Sequence, residues 1–138
     1  MYLFDTNVIS ELRKGQKANS GVLNFCNELQ NRNAKIYLSV LTVGELRRGI
    51  ELIRYRNDRD QANLLEVWLD KVLEEYADYI LPINDDIAQV WGRLRVPHHE
   101  NELDKFIAAT ALIYDLTVVT RNIEHFKDTS VKLFNPFV

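Results

Sequence analysis

Five short apolar runs punctuate a chain otherwise patterned for helices: YLF at 2–4, IYLS at 36–39, YILPI at 79–83, TVVT at 117–120 and VKLFNP at 131–136. The stretches between them read as helices over 6–13, 20–32, 41–56, 60–77, 84–95 and 102–115, with a loop at 96–101 and a short turn at 121–126. Antiparallel strands can be joined by a tight turn, whereas parallel strands need a crossover of about a dozen residues or more, usually a helix. Apolar runs set apart by helices therefore predict a parallel sheet covered on both faces. The expected fold class is α/β, a short parallel sheet of four to five strands flanked by helices, in one domain over 1–138.

Several classes are excluded early. The single cysteine, Cys26, allows no internal disulfide and fits a reducing cytosol. Its neighbours in VLNFCNEL mark it as a small buried hydrophobe rather than a nucleophile. No basic leader precedes the first strand, and no apolar run nears the ~20 residues of a membrane span, so a cytoplasmic location away from membranes is expected. A net charge of −3 and a pI of about 5.6 argue against a protein that coats nucleic acid electrostatically. They leave open one that handles nucleic acid at an acidic, metal-loaded site.

Open parallel sheets bind ligands beyond the carboxyl ends of their strands. Asp5 ends the first strand, and Ser39 ends the second, with Glu45 further along the helix that follows. Asp104 lies near the start of the helix before the fourth strand, which ends at Thr120 with Asn122 just beyond. Each has an ordinary explanation. Asp5 suits an N-cap. Thr42-x-x-Glu45 matches a capping box, although Ser39 is an equally good cap. Asp104 fits the first turn after an Asn101 cap, and Asn122 fits a loop. Together they ask for more. The helix carrying Asp104 is apolar almost all round, with Phe106, Ile107, Ala108, Ala109, Ala111, Leu112 and Ile113, which predicts burial. An unpaired carboxylate on such a helix is costly. Clustered carboxylates also repel by about 4 kcal/mol per pair at about 4 Å near a protein surface. A cation at their centre relieves both costs, and oxygen-only ligands favour Mg²⁺ or Mn²⁺ over zinc.

The segments FDTNVISEL, SVLTVGELRRGIE, LDKFIAATAL and VVTRNIEHF, in this order and at these separations, resemble the motifs of PIN-domain ribonucleases. The likeness is nearest to toxins of VapC and FitB type from toxin–antitoxin pairs, and it runs from residue 2 to residue 136. It implies a PIN-like three-layer fold and a metal-dependent endoribonuclease. Asp5, Glu45 and Asp104 fall on the family's metal-binding acids. Asn122 falls on a fourth position where many members carry Asp. Thr6 and Thr120 match supporting positions, and Asn7 matches a residue near the metal-bound water or phosphate. The resemblance further implies a cognate antitoxin as partner, and a homodimer or a higher assembly with that antitoxin. The wide apolar stripe on 60–77, with Leu65, Trp68, Leu69 and Val72, could serve such a partner.

The chemistry so implied is metal-assisted phosphodiester hydrolysis of RNA. Three carboxylates leave one Mg²⁺ with a net −1, and a second ion makes +1, matching one scissile phosphate. One ion is therefore expected in the free enzyme and a second with RNA, with neutral Asn122 weakening the second. Arg47, Arg48, Lys105 and Arg121 adjoin the motif acids and are the candidate RNA phosphate contacts, while Arg54, Arg56 and Arg59 read as a solvated helix face. HHE at 98–100 lacks zinc spacing and reads as loop surface. Trp68 and Trp91 sit on apolar stripes and read as core or interface. A receiver-type phospho-acceptor domain lacks its acceptor Asp and late Lys here, a haloacid-dehalogenase-type phosphatase needs Asp where Asn7 stands, and no P-loop is present. The alternative within the same fold is a PIN domain of weak or lost activity serving as a scaffold, which the Asn122 departure keeps open and the presence of Asp5, Glu45 and Asp104 ranks below the enzyme.

Overall fold

The computed structural model describes residues 1–138. In chain order the elements are β1 (Tyr2–Phe4), α1 (Thr6–Leu12), α2 (Ser20–Asn31), β2 (Ile36–Ser39), α3 (Val40–Tyr55), α4 (Arg59–Glu75), β3 (Ile80–Leu81), α5 (Asp85–Leu94), α6 (Glu102–Tyr114), β4 (Thr117–Val119) and β5 (Lys132–Phe134). Short 3₁₀ turns occupy Gly15–Lys17 and Ile123–Phe126. The five strands form one sheet in the order β3-β2-β1-β4-β5, and every pairing is parallel.

Side chains alternate across a strand, so each central strand feeds two cores. Leu3 and Val118 point to one face and Phe4 and Val119 to the other. On the second face Phe4, Leu38 and Val119 meet Val8, Val22, Leu46, Ile50, Leu65 and Leu69 from α1 to α4. On the first, Leu3 and Val118 meet Ile107, Ala108 and Ala111 of α6, with Leu94 of α5 against the same cluster. That is a three-layer arrangement with all three central strands buried on both sides, as their continuous apolar character requires. No helix is long and apolar enough to cross a membrane.

Three local expectations need correction. The run at 79–83 pairs only at Ile80–Leu81, because Pro82 has no N–H to give a ladder. Asn101 is left-handed (φ 55°) and its side chain caps nothing; its carbonyl instead accepts the Lys105 N–H at 3.0 Å. A capping side chain needs the extended geometry that Asn101 lacks. Finally, α6 is not buried all round: Leu112, Ile113 and Tyr114 are 38%, 41% and 38% exposed. The sheet and α5 cover two of its faces and nothing in the chain covers the end of the third.

Candidate active site

The chain steps outward from β1 through β2 to β3 on one side and from β4 to β5 on the other, so the strand order reverses between β1 and β4. A crevice forms at such a switch point. Asp5 and Thr120 stand at its lip, each one residue past its strand.

Asp5 leaves the sheet in extended geometry and gives its N–H to the Val119 carbonyl at 3.0 Å. It caps α1, as Oδ1 accepts the Thr6 N–H at 2.8 Å. Oδ2 accepts from the Thr120 hydroxyl at 2.9 Å and from Asn7 Nδ2 at 3.2 Å. The Thr120 oxygen in turn accepts from Asn7 Nδ2 (3.2 Å) and the Asn122 N–H (3.0 Å), and Asn7 Oδ1 accepts the Arg121 N–H at 3.0 Å. Asp5 is 3% exposed, and burial pushes its carboxyl above the usual range against the pull of Thr120, Thr6 and Asn7.

Ser39 is the cap of α3: its Oγ accepts the Leu41 N–H at 3.1 Å. The capping-box option for Thr42 is thereby excluded, and Glu45 falls in the second turn, facing α1. There Glu45 Oε1 accepts the Thr6 hydroxyl at 2.7 Å, with the buried Thr42 hydroxyl 3.3 Å from the same Thr6 oxygen. Asp104 occupies the first turn of α6, and its Oδ2 lies 2.9 Å from His125 Nδ1. Burial, then the charge of Asp5, push the Asp104 carboxyl up to about 6; His125 pulls it down and Glu45 adds a smaller push upward.

Asp5, Glu45, Asp104 and Asn122 line one cleft of about 450 Å³ whose wall contains no apolar residue. No three of its acids and histidines stand close enough together to close on one ion. Mg²⁺ needs only one or two carboxylates beside its waters and phosphate oxygens, and the cleft contains those. The carboxylate and amide donors, with no thiolate among them, agree with a hard cation. The charge of Asp5, and to a smaller extent that of Glu45, raises the proton affinity of Asp104, a cost that a nearby positive charge would relieve. A larger recess of about 610 Å³, bounded by Phe4, Leu12, Cys26 and Tyr76, brings no such group of acids together.

The basic residues divide. Arg121 lines the cleft, its guanidinium 4.4 Å above the Phe137 ring. Arg47 does not: it is held by Glu66 at 2.5 Å and Glu51 at 3.5 Å, across the α3–α4 hairpin. Arg48 is exposed but outside the cleft. Lys105 is 3% exposed, with its ammonium donating to the His98 carbonyl rather than facing the cleft. Packing thus turns Arg47 and Lys105 away from the cleft, and Arg48 lies outside its wall. Sequence reasoning also passed over residues the cleft contains. Ser10, Arg13 and Lys14 line it. Thr6, Ser10 and Arg13 recur at helical spacing on one face of α1, a signal present in the sequence. His125 gave no such signal, because only the 3₁₀ turn carries it back to Asp104. Glu11 is accounted for structurally: it accepts from the Asn19 N–H at 2.8 Å and Lys14 Nζ at 2.9 Å, and Lys14 holds its carboxyl below the usual range.

Comparison with known proteins bears on the whole chain. Residues 2–132 match the model of the PIN domain. The chain is 36% identical over 142 aligned residues to the toxin FitB of Neisseria gonorrhoeae, covering 99% of each. It is 31% identical to the VapC ribonuclease Y4jK of Sinorhizobium fredii, covering 99% of this chain and 98% of that one. Among solved structures it superposes on FitAcB from Neisseria gonorrhoeae with a TM-score of 0.84 and 33% identity, covering 99% of this chain and 98% of that chain.

Proposed function

The chain belongs to the PIN-domain family, and on that premise we propose that it is a Mg²⁺- or Mn²⁺-dependent endoribonuclease, the toxin half of a toxin–antitoxin pair. The observation that carries the chemistry is the meeting of Asp5, Glu45 and Asp104, from three separate segments, in one apolar-free cleft at the strand-order switch. Relatives named as a VapC ribonuclease and a FitB toxin support the reaction and the role. A cognate antitoxin as partner, and a homodimer or a higher assembly with it, complete the proposal.

In this reading Asp5, Glu45 and Asp104 hold the ion. A divalent ion at such a site supplies Lewis acidity for the phosphoryl oxygen and a water acidic enough to attack phosphorus at neutral pH. The chain's own groups do the rest. Thr120, Asn7 and the Thr6 N–H fix both oxygens of Asp5. The Thr6 hydroxyl aims Glu45, and His125 aims Asp104. Asn122 offers an amide where a fourth carboxylate would add charge. Arg13, Lys14 and Arg121 stand at the rim, placed for phosphates that flank the scissile one.

The test is cleavage of a mixed single-stranded RNA pool in Mg²⁺ or Mn²⁺ by wild type and Asp5→Asn, with EDTA as control. Asparagine keeps the cap acceptor while removing the charge. Metal-dependent cutting that vanishes in Asp5→Asn is the expected result. Cutting that survives the substitution, or that persists in EDTA, would overturn the assignment.

A further inference from the structure

A second, smaller depression of about 220 Å³ adjoins the acid cleft, and the two share Thr6, Ser10, Arg13 and Glu45 as a common wall. Away from that wall its character changes: Ile50, Leu65 and Trp68 line it, between α3 and α4. We propose that this groove is a nucleobase subsite, in which an unpaired base of the RNA strand stacks on Trp68 while the adjoining phosphate rests on Arg13. The inference builds on the nuclease reading, because it needs a strand threaded through the acid cleft.

Three features favour an RNA base here. Trp68 is partly buried against the core, and its ring is in none of the aromatic or cation–π pairs of the structure. Trp91, by contrast, is stacked on Phe106 at 4.2 Å and covered by Arg95 at 4.4 Å, and Phe137 lies under Arg121. Trp68 is thus the aromatic lining this groove that has no aromatic or cationic partner in the chain. Arg13 stands at the border of the two depressions and enters no ion pair, whereas Arg47 and Arg54 are both neutralised by Glu51 and Glu66. Gly49 lines the groove from the middle of α3, and a Cβ there would meet nothing within 4 Å. A helix-interior glycine is unfavourable, and no packing in this chain requires this one, but a side chain in its place would enter the groove. The apolar walls present no donors or acceptors to a base edge beyond the Trp68 indole N–H. The subsite therefore selects for an unpaired base rather than for its identity.

Trp91→Phe leaves Trp68 as the sole tryptophan of the two. Its fluorescence is followed as a random-sequence single-stranded hexaribonucleotide pool is added in Ca²⁺ buffer, beside a blunt RNA duplex and a short basic peptide. The single strand should quench Trp68 saturably and the duplex should not. Gly49→Leu, which adds a side chain in open space, should weaken the quench about tenfold or more, in keeping with the loss of one base–aromatic stack. Its Mg²⁺ affinity, read by calorimetry, should be unchanged. Absence of quenching, equal quenching by duplex, insensitivity to Gly49→Leu, or quenching by the peptide alone each overturns the subsite. If wild type cuts the RNA pool but Trp68 is silent, the subsite fails and the nuclease stands. If both are silent, both fail.

Discussion

Asp104 offers a direct measure of how far this site is held away from its own stability optimum. Its carboxyl is raised from 3.8 to about 6, by burial first and by the charge of Asp5 next. A shift of about two units corresponds to roughly 3 kcal/mol of disfavour for the ionised form in the folded chain. The carboxyl lines an open cleft, so solvent screens part of this and about 3 kcal/mol is an upper bound. The sign follows from linkage. Between about pH 4 and pH 6 the folded chain keeps a proton that the unfolded chain has released. Stability is therefore greatest below the unfolded value and is lost as the pH rises through about 6. Metal-free protein in EDTA should be less stable at pH 7 than at pH 4.5 by up to about 2 kcal/mol from this group, part of the full effect being already lost at pH 4.5, which is on the order of 5–10 °C in Tm. Asp104→Asn removes the titration and should flatten that part of the profile, standing above wild type at pH 7. Added Mg²⁺ should raise wild type at pH 7 and leave Asp104→Asn nearly unmoved. Urea unfolding at the two pH values reads all of this. Parallel pH profiles for wild type and Asp104→Asn would refute the reasoning, because the stored repulsion would then lie elsewhere.

Three further outcomes follow from named contacts. Asn122→Asp adds a fourth carboxylate to the cleft and should tighten Mg²⁺ binding by calorimetry; an unchanged isotherm would mean that position 122 does not face the ion. Thr120→Val takes a donor from buried Asp5 and an acceptor from Asn7 and the Asn122 N–H, and should cost about 1–3 kcal/mol in urea unfolding, with Thr120→Ser close to wild type. Lys105→Met should leave the salt slope of RNA binding untouched, since that ammonium is turned to the His98 carbonyl, whereas Arg121→Ala should lower the slope by about one; the reverse pattern would show that Lys105 swings out to reach RNA.

Much of the frame was readable from the order of apolar runs, because strands buried on both faces cannot hide their hydrophobicity. Phe4 and Leu3 feed opposite cores from adjacent positions, and both had to be apolar. The acids were readable for the complementary reason: a charge at the tip of such a strand, as at Asp5, conflicts with its surroundings unless something there uses it. What sequence could not supply was the pairing of long side chains. Arg47 and Lys105 adjoin motif acids in the chain, yet helix geometry turns Arg47 toward Glu66 on α4 and Lys105 into the loop at His98. Position along the sequence gives no direction of approach. His125 was hidden by the same gap, since a 3₁₀ turn, not a periodic pattern, brings it to Asp104.

Thr6 explains why the convergence of acids is a property of the fold rather than of loose side chains. Its N–H is held by Asp5 and its hydroxyl by Glu45, so one residue at the start of α1 ties the tip of β1 to the second turn of α3. The N-cap that starts α1 is therefore the same carboxylate that the site needs, and the helix cannot begin without presenting it. A cap is worth about 1 kcal/mol, less than the cost that burial and then the charge of Asp5 place on Asp104, so capping alone does not account for keeping three acids here. The acids persist against the stability of the metal-free chain, a cost that the proposed cation would offset.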